Sequence, residues 1–114
     1  MQKLLLSEIE NAKKKLEGKI VKTPILPLEG SKIKSSLPFE SKTFIKLELY
    51  QHTGSFKARG NLLAVDKLTD EQKIRGVVAV SAGNHALAVS WAAKQVGAHA
   101  KLFMPKLLIL LELK

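Results

Sequence analysis

A chain of 114 residues, 46% hydrophobic and 25% charged, suffices for one small core and has the ordinary balance of a globular protein. The absence of cysteine excludes disulfides, thiolate catalysis and zinc–thiolate sites, and no metal site is expected. The net charge of +9 raises nucleic-acid binding, but the excess runs through both halves and only Arg59 and Arg75 among the nineteen basic residues are arginine. Bidentate reading of bases and phosphates favours arginine, so no nucleic-acid partner is expected.

No apolar run reaches the roughly 18 residues of a membrane span. The opening MQKLLLSEIE is too brief in its apolar part for a signal-peptide core. A cytoplasmic protein without a membrane partner is the expectation. Residues 7–17, SEIENAKKKLE, read as a helix with Ser7 and Glu10 at capping-box spacing and Leu5, Ile9, Ala12 and Leu16 on one face. Gly18 ends it, and Pro24 forces Thr23 into extended backbone. Residues 29–42 read as a loop.

TFIKLEL, 43–49, alternates as a strand with one face more buried than the other. KARGNLLAVDKL places Ala58, Leu62, Val65 and Leu68 at helical spacing, and Thr69 and Asp70 open a short further helix. VVAV, 77–80, reads as a strand buried on both faces. The next segment turns through glycine into an alanine-rich helix with Val89, Ala92, Ala93 and Val96 along one stripe and Gly97 at its end. HAKLFMP, 99–105, reads as a second strand. Strand, helix and strand in that order predict a βαβ unit with a parallel sheet, hence an α/β fold.

Two stretches carry chemistry. In TGSFKARG, 53–60, Lys57 stands where a helix begins, and the positive end of the helix dipole disfavours a cation there. Such a position suits a neutral, nucleophilic amine; the plainer reading is an exposed lysine beside a buried Phe56. In SAGNH, 81–85, the turn follows a strand at the edge where open α/β sheets bind ligands. Backbone N–H groups at a helix start form an anion site, to which Ser81 adds a hydroxyl and Asn84 an amide; the plainer reading is N-capping by Asn84 with Gly83 in a tight turn. The G-x-G-x-x-G spacing of a dinucleotide site is absent.

Together, KLELYQHTGSFKARG and VVAVSAGNHALAVSWAAKQVGAHAKLFMP closely resemble the fold-type-II, tryptophan synthase β-like pyridoxal-phosphate enzymes. Within them the likeness is greatest to the threonine dehydratase and serine racemase branch. It runs over residues 5–106, and Thr23-Pro24 also matches the family's opening. The resemblance implies that Lys57 forms the imine with pyridoxal 5'-phosphate, Phe56 packs beside its ring, and Asn84 binds the ring's phenolic oxygen. It further implies that Ser81 and the N–H groups from Ala82 through Gly83 and Asn84 to His85 hold the substrate carboxylate. The implied reaction is deamination of L-threonine or L-serine to a 2-oxo acid and ammonia. Racemases of this branch usually carry serine where this chain has Ala82, and a methyl group transfers no proton, so a dehydratase is favoured.

The resemblance also implies that residues 1–106 are the amino-terminal portion of a larger catalytic domain whose glycine-rich phosphate loop lies further on. Residues 107–114, LLILLELK, depart from the family as an apolar tail. Codons for Thr-Ala-Asn-Pro read one base later spell Leu-Leu-Ile-Leu, so a frameshift after Lys106 is expected. Two expectations follow for the 114 residues: little cofactor affinity and no turnover, or a non-catalytic segment that self-associates through an open strand edge. Full-length relatives are expected to be homo-oligomers.

Overall fold

The computed structural model describes residues 3–30, 35–36 and 41–104. Helix α1 spans Leu6–Leu16, one residue earlier than its sequence pattern suggests. Ser7 and Glu10 do not cap it. Leu5 holds the N-cap position in extended backbone (φ −95°, ψ 145°) and Glu8 Oε2 accepts its N–H at 2.8 Å. A carboxylate three residues into the helix reaches back to the cap whether or not the cap residue has a side chain to return the bond. Lys13, Lys14 and Lys15 occupy the last turn, where the dipole favours cations. Of the expected apolar face only Leu16 is buried; Leu5 and Ile9 are exposed.

The expected strand over 43–49 is shorter and less buried than its alternation implies. Strand β2 covers Phe44–Lys46, pairs antiparallel with β1 (Ile25–Pro27), and leaves all three of its residues exposed. A two-stranded ribbon has nothing to bury a face against. After it the chain tightens into 3₁₀ turns at Glu48–Tyr50 and His52–Gly54.

Helix α2, Lys57–Val65, buries Ala58, Leu62 and Val65 as their spacing predicts; Leu68, expected on the same face, lies past the helix end and is half-buried. Helix α3, Asp70–Arg75, starts at Thr69, whose hydroxyl accepts the Gln72 N–H at 3.2 Å while Gln72 Oε1 accepts the Thr69 N–H at 2.9 Å. It ends at Gly76 with φ 80°, where a Cβ would stand 2.7 Å from the His99 carbonyl oxygen. That glycine lets β3, Val77–Val80, begin against β4, Ala100–Phe103.

The β3–β4 pair is parallel, with Val77 opposite Ala100 and Val80 opposite Phe103. Helix α4, Asn84–Gln95, connects them and completes the expected βαβ unit. Burial of β3 on both faces is not observed: Val78 and Val80 are 68% and 72% exposed. Helix α4 covers one side of this sheet, and among the described residues no third layer covers the other. The core lies between helices. Leu16, Leu62, Val65 and Ala92 form it, with Ile20, Trp91 and Val96 packed on its margin. Ala58, Ala88, Ala92 and Ala93 are wholly buried, and such small side chains let α2 and α4 approach closely. The expectations for the 29–42 loop fall largely, and those for the 107–114 tail entirely, outside the described residues.

Candidate functional site

Lys57 is the first residue of α2, as its setting in the sequence suggests, and it is half-buried. The turn carrying it is unusual. Thr53 adopts left-handed backbone (φ 62°, ψ 16°), which costs a β-branched residue of order 1–3 kcal/mol, and Gly54 follows at φ 68°. Both hydroxyls of this turn, Thr53 Oγ1 and Ser55 Oγ, are buried with no hydrogen-bond partner among the described residues. Phe56 precedes the helix and is 63% exposed, so the expected buried ring is not observed; its ring is available to a flat ligand. Among the described residues Lys57 takes part in no ion pair.

The second stretch lies where the strand pattern predicts, at the carboxyl end of β3. Ser81 prolongs the parallel ladder by donating its N–H to the Phe103 carbonyl at 3.0 Å. Gly83, not Asn84, is the N-cap of α4; its carbonyl accepts from the Ala86 N–H at 2.9 Å. Asn84 is therefore the first helical residue and its exposed side chain is free of capping duty. Ser81 Oγ accepts the Gly83 N–H at 3.2 Å, which folds the turn over and engages one of the expected anion donors. Ser81, Ala82 and His85 are half-buried.

Asn61 joins the two stretches. Its Nδ2 donates to the Lys57 carbonyl at 2.8 Å and lies 3.4 Å from His85 Nδ1. One amide thus touches the first turn of α2 and the first turn of α4. The 3₁₀ turn that precedes α2 is held to α4 by His52, stacked on Trp91 with centroids 4.7 Å apart.

A polar cluster below α2 was not anticipated. Glu48 accepts two bonds from the Arg59 guanidinium, Nε to Oε2 at 2.9 Å and Nη2 to Oε1 at 2.8 Å. Buried Thr23 donates its hydroxyl to Glu48 Oε1 at 2.6 Å, and Lys46 Nζ donates to the Thr23 carbonyl at 3.0 Å. The Arg59 hydrogen bonds hold the Glu48 carboxyl below its ordinary range against the opposing effect of burial; Thr23 and Lys46 add to the lowering. Gln51, also buried, pairs with both backbone groups of Val21 at 2.9 and 3.0 Å. The available signal was Arg59 itself, a second cation in a helix turn that contains no acid.

A groove of about 860 Å³ lies elsewhere, lined by Ile9, Leu16, Val21, Ile25, Lys46 and Arg59 among others, and reaches neither Lys57 nor the 81–85 turn. No group of residues able to hold a metal occurs among the described residues, and no described helix is long and apolar enough to cross a membrane.

The family model for pyridoxal-phosphate dependent enzymes matches residues 16–107, most of the chain. The chain belongs to this family. Among curated relatives, the pyridoxal-phosphate family member is 43% identical over 101 residues to the catabolic L-threonine dehydratase of Staphylococcus aureus, a match covering 89% of this chain and 28% of that protein. Its fold superposes on maize serine racemase with a TM-score of 0.73 at 35% identity, covering 89% of this chain and 30% of that one. Threonine deaminase isoform 2 of Solanum lycopersicum gives a TM-score of 0.62 at 32% identity over 75% of this chain and 23% of its own. The chain therefore spans less than a third of these relatives. It shares the fold-type-II architecture of pyridoxal-phosphate enzymes, seen here as the parallel β3–α4–β4 unit.

The residues present fit one side of such a cofactor. Lys57 offers an amine in no ion pair among the described residues, Phe56 an exposed ring, and the start of α4 an amide and N–H groups; Ser55 Oγ, two residues before Lys57, has no hydrogen-bond partner among the described residues. The described residues contain no glycine-rich phosphate cradle.

Proposed function

We propose that this chain is the part of a threonine dehydratase-type enzyme that presents the cofactor lysine and the substrate-carboxylate turn. The observation that carries the reading is the Asn61 bridge, which ties the Lys57 turn to the His85 turn. The family match and the 43% identity to a threonine dehydratase support the substrate class, L-threonine or L-serine.

In this reading Lys57 Nζ would hold pyridoxal phosphate and would move the proton at the substrate Cα. Phe56 and Asn84 would orient its ring. Ser81 and the N–H groups at Ala82, Asn84 and His85 hold the carboxylate at the positive end of α4; Gly83, donating to Ser81 Oγ, shapes the turn and lets the backbone approach. Bound pyridoxal phosphate supplies the electron sink that lets the Cα–H bond break and the β-hydroxyl leave. Ala82 carries no group able to deliver a proton from the opposite face, which favours elimination over racemisation. The β-hydroxyl would leave as water, and water then hydrolyses the resulting enamine to a 2-oxo acid and ammonia.

The test mixes the purified chain with pyridoxal phosphate and follows visible absorbance and ammonia release from L-threonine. A weak, reversible band lost in Lys57→Ala, with no ammonia from these 114 residues alone, is the expected result. A band of equal strength in Lys57→Ala would refute the assignment. The exposure of Val78 and Val80 favours a second reading, self-association through the β3–β4 sheet. It predicts a sedimentation coefficient that rises with protein concentration and falls back in Val80→Lys.

A further inference from the structure

We infer that Arg59 is a positioning residue for Lys57: its clamp on Glu48 fixes the rotation of α2 and so the direction of the amine. The inference rests on the pyridoxal-phosphate reading and adds the device that aims the lysine.

The first turn of α2 is poorly held by its own sequence. Phe56 occupies the N-cap with helical backbone and makes no side-chain cap bond, and the turn contains two cations and no acid. The dipole disfavours both cations. Glu48 supplies the missing negative charge from outside the helix, and of the two cations in this turn it reaches Arg59 alone; its other ionic partner is Lys46 of β2, at 3.8 Å. Glu48 pairs with Arg59 through two oxygens, while Lys57 is left in no ion pair among the described residues.

Residues two apart on an α-helix project about 200° from one another. A clamp on Arg59 therefore grips the helix from the side away from Lys57 and blocks rotation without occupying the amine. The fork geometry matters, because two parallel bonds fix an orientation that one point contact does not. The anchor beneath Glu48 is itself fixed. Buried Thr23 donates to Glu48 at 2.6 Å, Lys46 ties the Thr23 carbonyl, and Arg59 Nη2 also reaches Thr23 Oγ1 and the Val21 carbonyl at 3.4 Å. On the opposite side Asn61, four residues along the same helix, donates to the Lys57 carbonyl and lies 3.4 Å from His85 Nδ1 of α4. The turn of Lys57 thus has one ionic fastening, to Glu48, and one polar contact across to α4.

The experiment maps which lysines of the full chain react with pyridoxal phosphate under brief borohydride reduction, read by peptide mass spectrometry with exposed Lys13 as internal standard. Circular dichroism confirms that each variant is folded. The wild type shows enrichment of label at Lys57 over Lys13. Arg59→Met lowers that enrichment about tenfold, within the roughly hundredfold that a 1 Å misplacement of a reacting group can cost, and Arg59→Lys recovers only part of it. Leu62→Ala, which weakens the core without touching the clamp, keeps the enrichment and so separates positioning from stability. Should Arg59→Met not fold, Glu48→Gln keeps the shape while weakening the fork and shows the same fall. Enrichment that persists in the folded Arg59 and Glu48 variants overturns this inference alone. A wild type with no enrichment overturns the pyridoxal-phosphate reading and this inference with it.

Discussion

Replacing Glu48 by glutamine removes one charge from the Thr23–Glu48–Arg59 cluster and leaves its volume nearly unchanged. The Glu48 side chain is 17% exposed and that of Arg59 27%, so the pair is largely but not wholly removed from water. Hydrogen bonds to charged groups contribute roughly 1.5–3 kcal/mol each and neutral ones about 1. Glutamine keeps one acceptor oxygen but turns an amide NH2, a donor, toward the guanidinium or the Thr23 hydroxyl. After allowance for partial solvent screening the loss is about 2 kcal/mol. A domain of this length has a stability of order 6 kcal/mol at the low end of the usual range, so the effect is a substantial fraction of the whole.

The carboxyl of Glu48 lies below its ordinary value in the folded chain. Its stabilising contribution is therefore complete above the unfolded carboxyl range and is lost as pH falls through the folded value. Urea unfolding followed by circular dichroism, from about pH 7 down to about pH 3, measures both chains across this window. The wild type is more stable at neutral pH, and the difference from Glu48→Gln closes on acidification. Two curves separated by a constant amount, or superposed throughout, would refute the account of the cluster.

Gly76→Ala places a Cβ 2.7 Å from the His99 carbonyl oxygen at a backbone φ of 80°, and is expected to lower stability by about 2 kcal/mol or more; an unchanged melting temperature contradicts this. Leu62→Ala empties the largest fully buried side-chain position and is expected to cost about 2–4 kcal/mol in urea titration, with a loss under about 1 kcal/mol refuting its place in the core. Gln51→Leu removes the acceptor of the Val21 N–H and leaves the Val21 carbonyl with only the 3.4 Å contact from Arg59 Nη2, and is expected to increase hydrogen exchange at the Val21 amide; unchanged exchange there counts against the pairing.

The elements most legible in the sequence were those with a strong local cause. The Ala58–Leu62–Val65 spacing gives α2, Thr69 caps α3, and Val89, Ala92 and Ala93 of the α4 stripe are buried as their period requires, while Val96 falls at the C-cap and is half-buried. The errors fell where burial depends on neighbours. Alternation in TFIKLEL and the apolar run VVAV describe what a strand could bury, whereas Phe44 and Val80 are exposed because the described residues contain only two-stranded sheets. Ser7 was misread as a cap because spacing alone cannot tell it from Glu8, which reaches back to Leu5. Lys57 and the 81–85 turn were singled out through their motifs. Asn61, Glu48 and Arg59, which connect and brace them, depend on contacts across 11 to 24 residues that no local pattern encodes.

The central claim is that the Lys57 turn and the 81–85 turn serve one ligand. Amide chemical shifts of the isotopically labelled chain, recorded while pyridoxal phosphate is added, test it most directly. The account predicts that resonances from 56–61 and from 81–85 move together with one saturation curve, and that both responses vanish in Lys57→Ala. Shifts confined to one turn, or scattered over exposed lysines and unchanged in that variant, would contradict it.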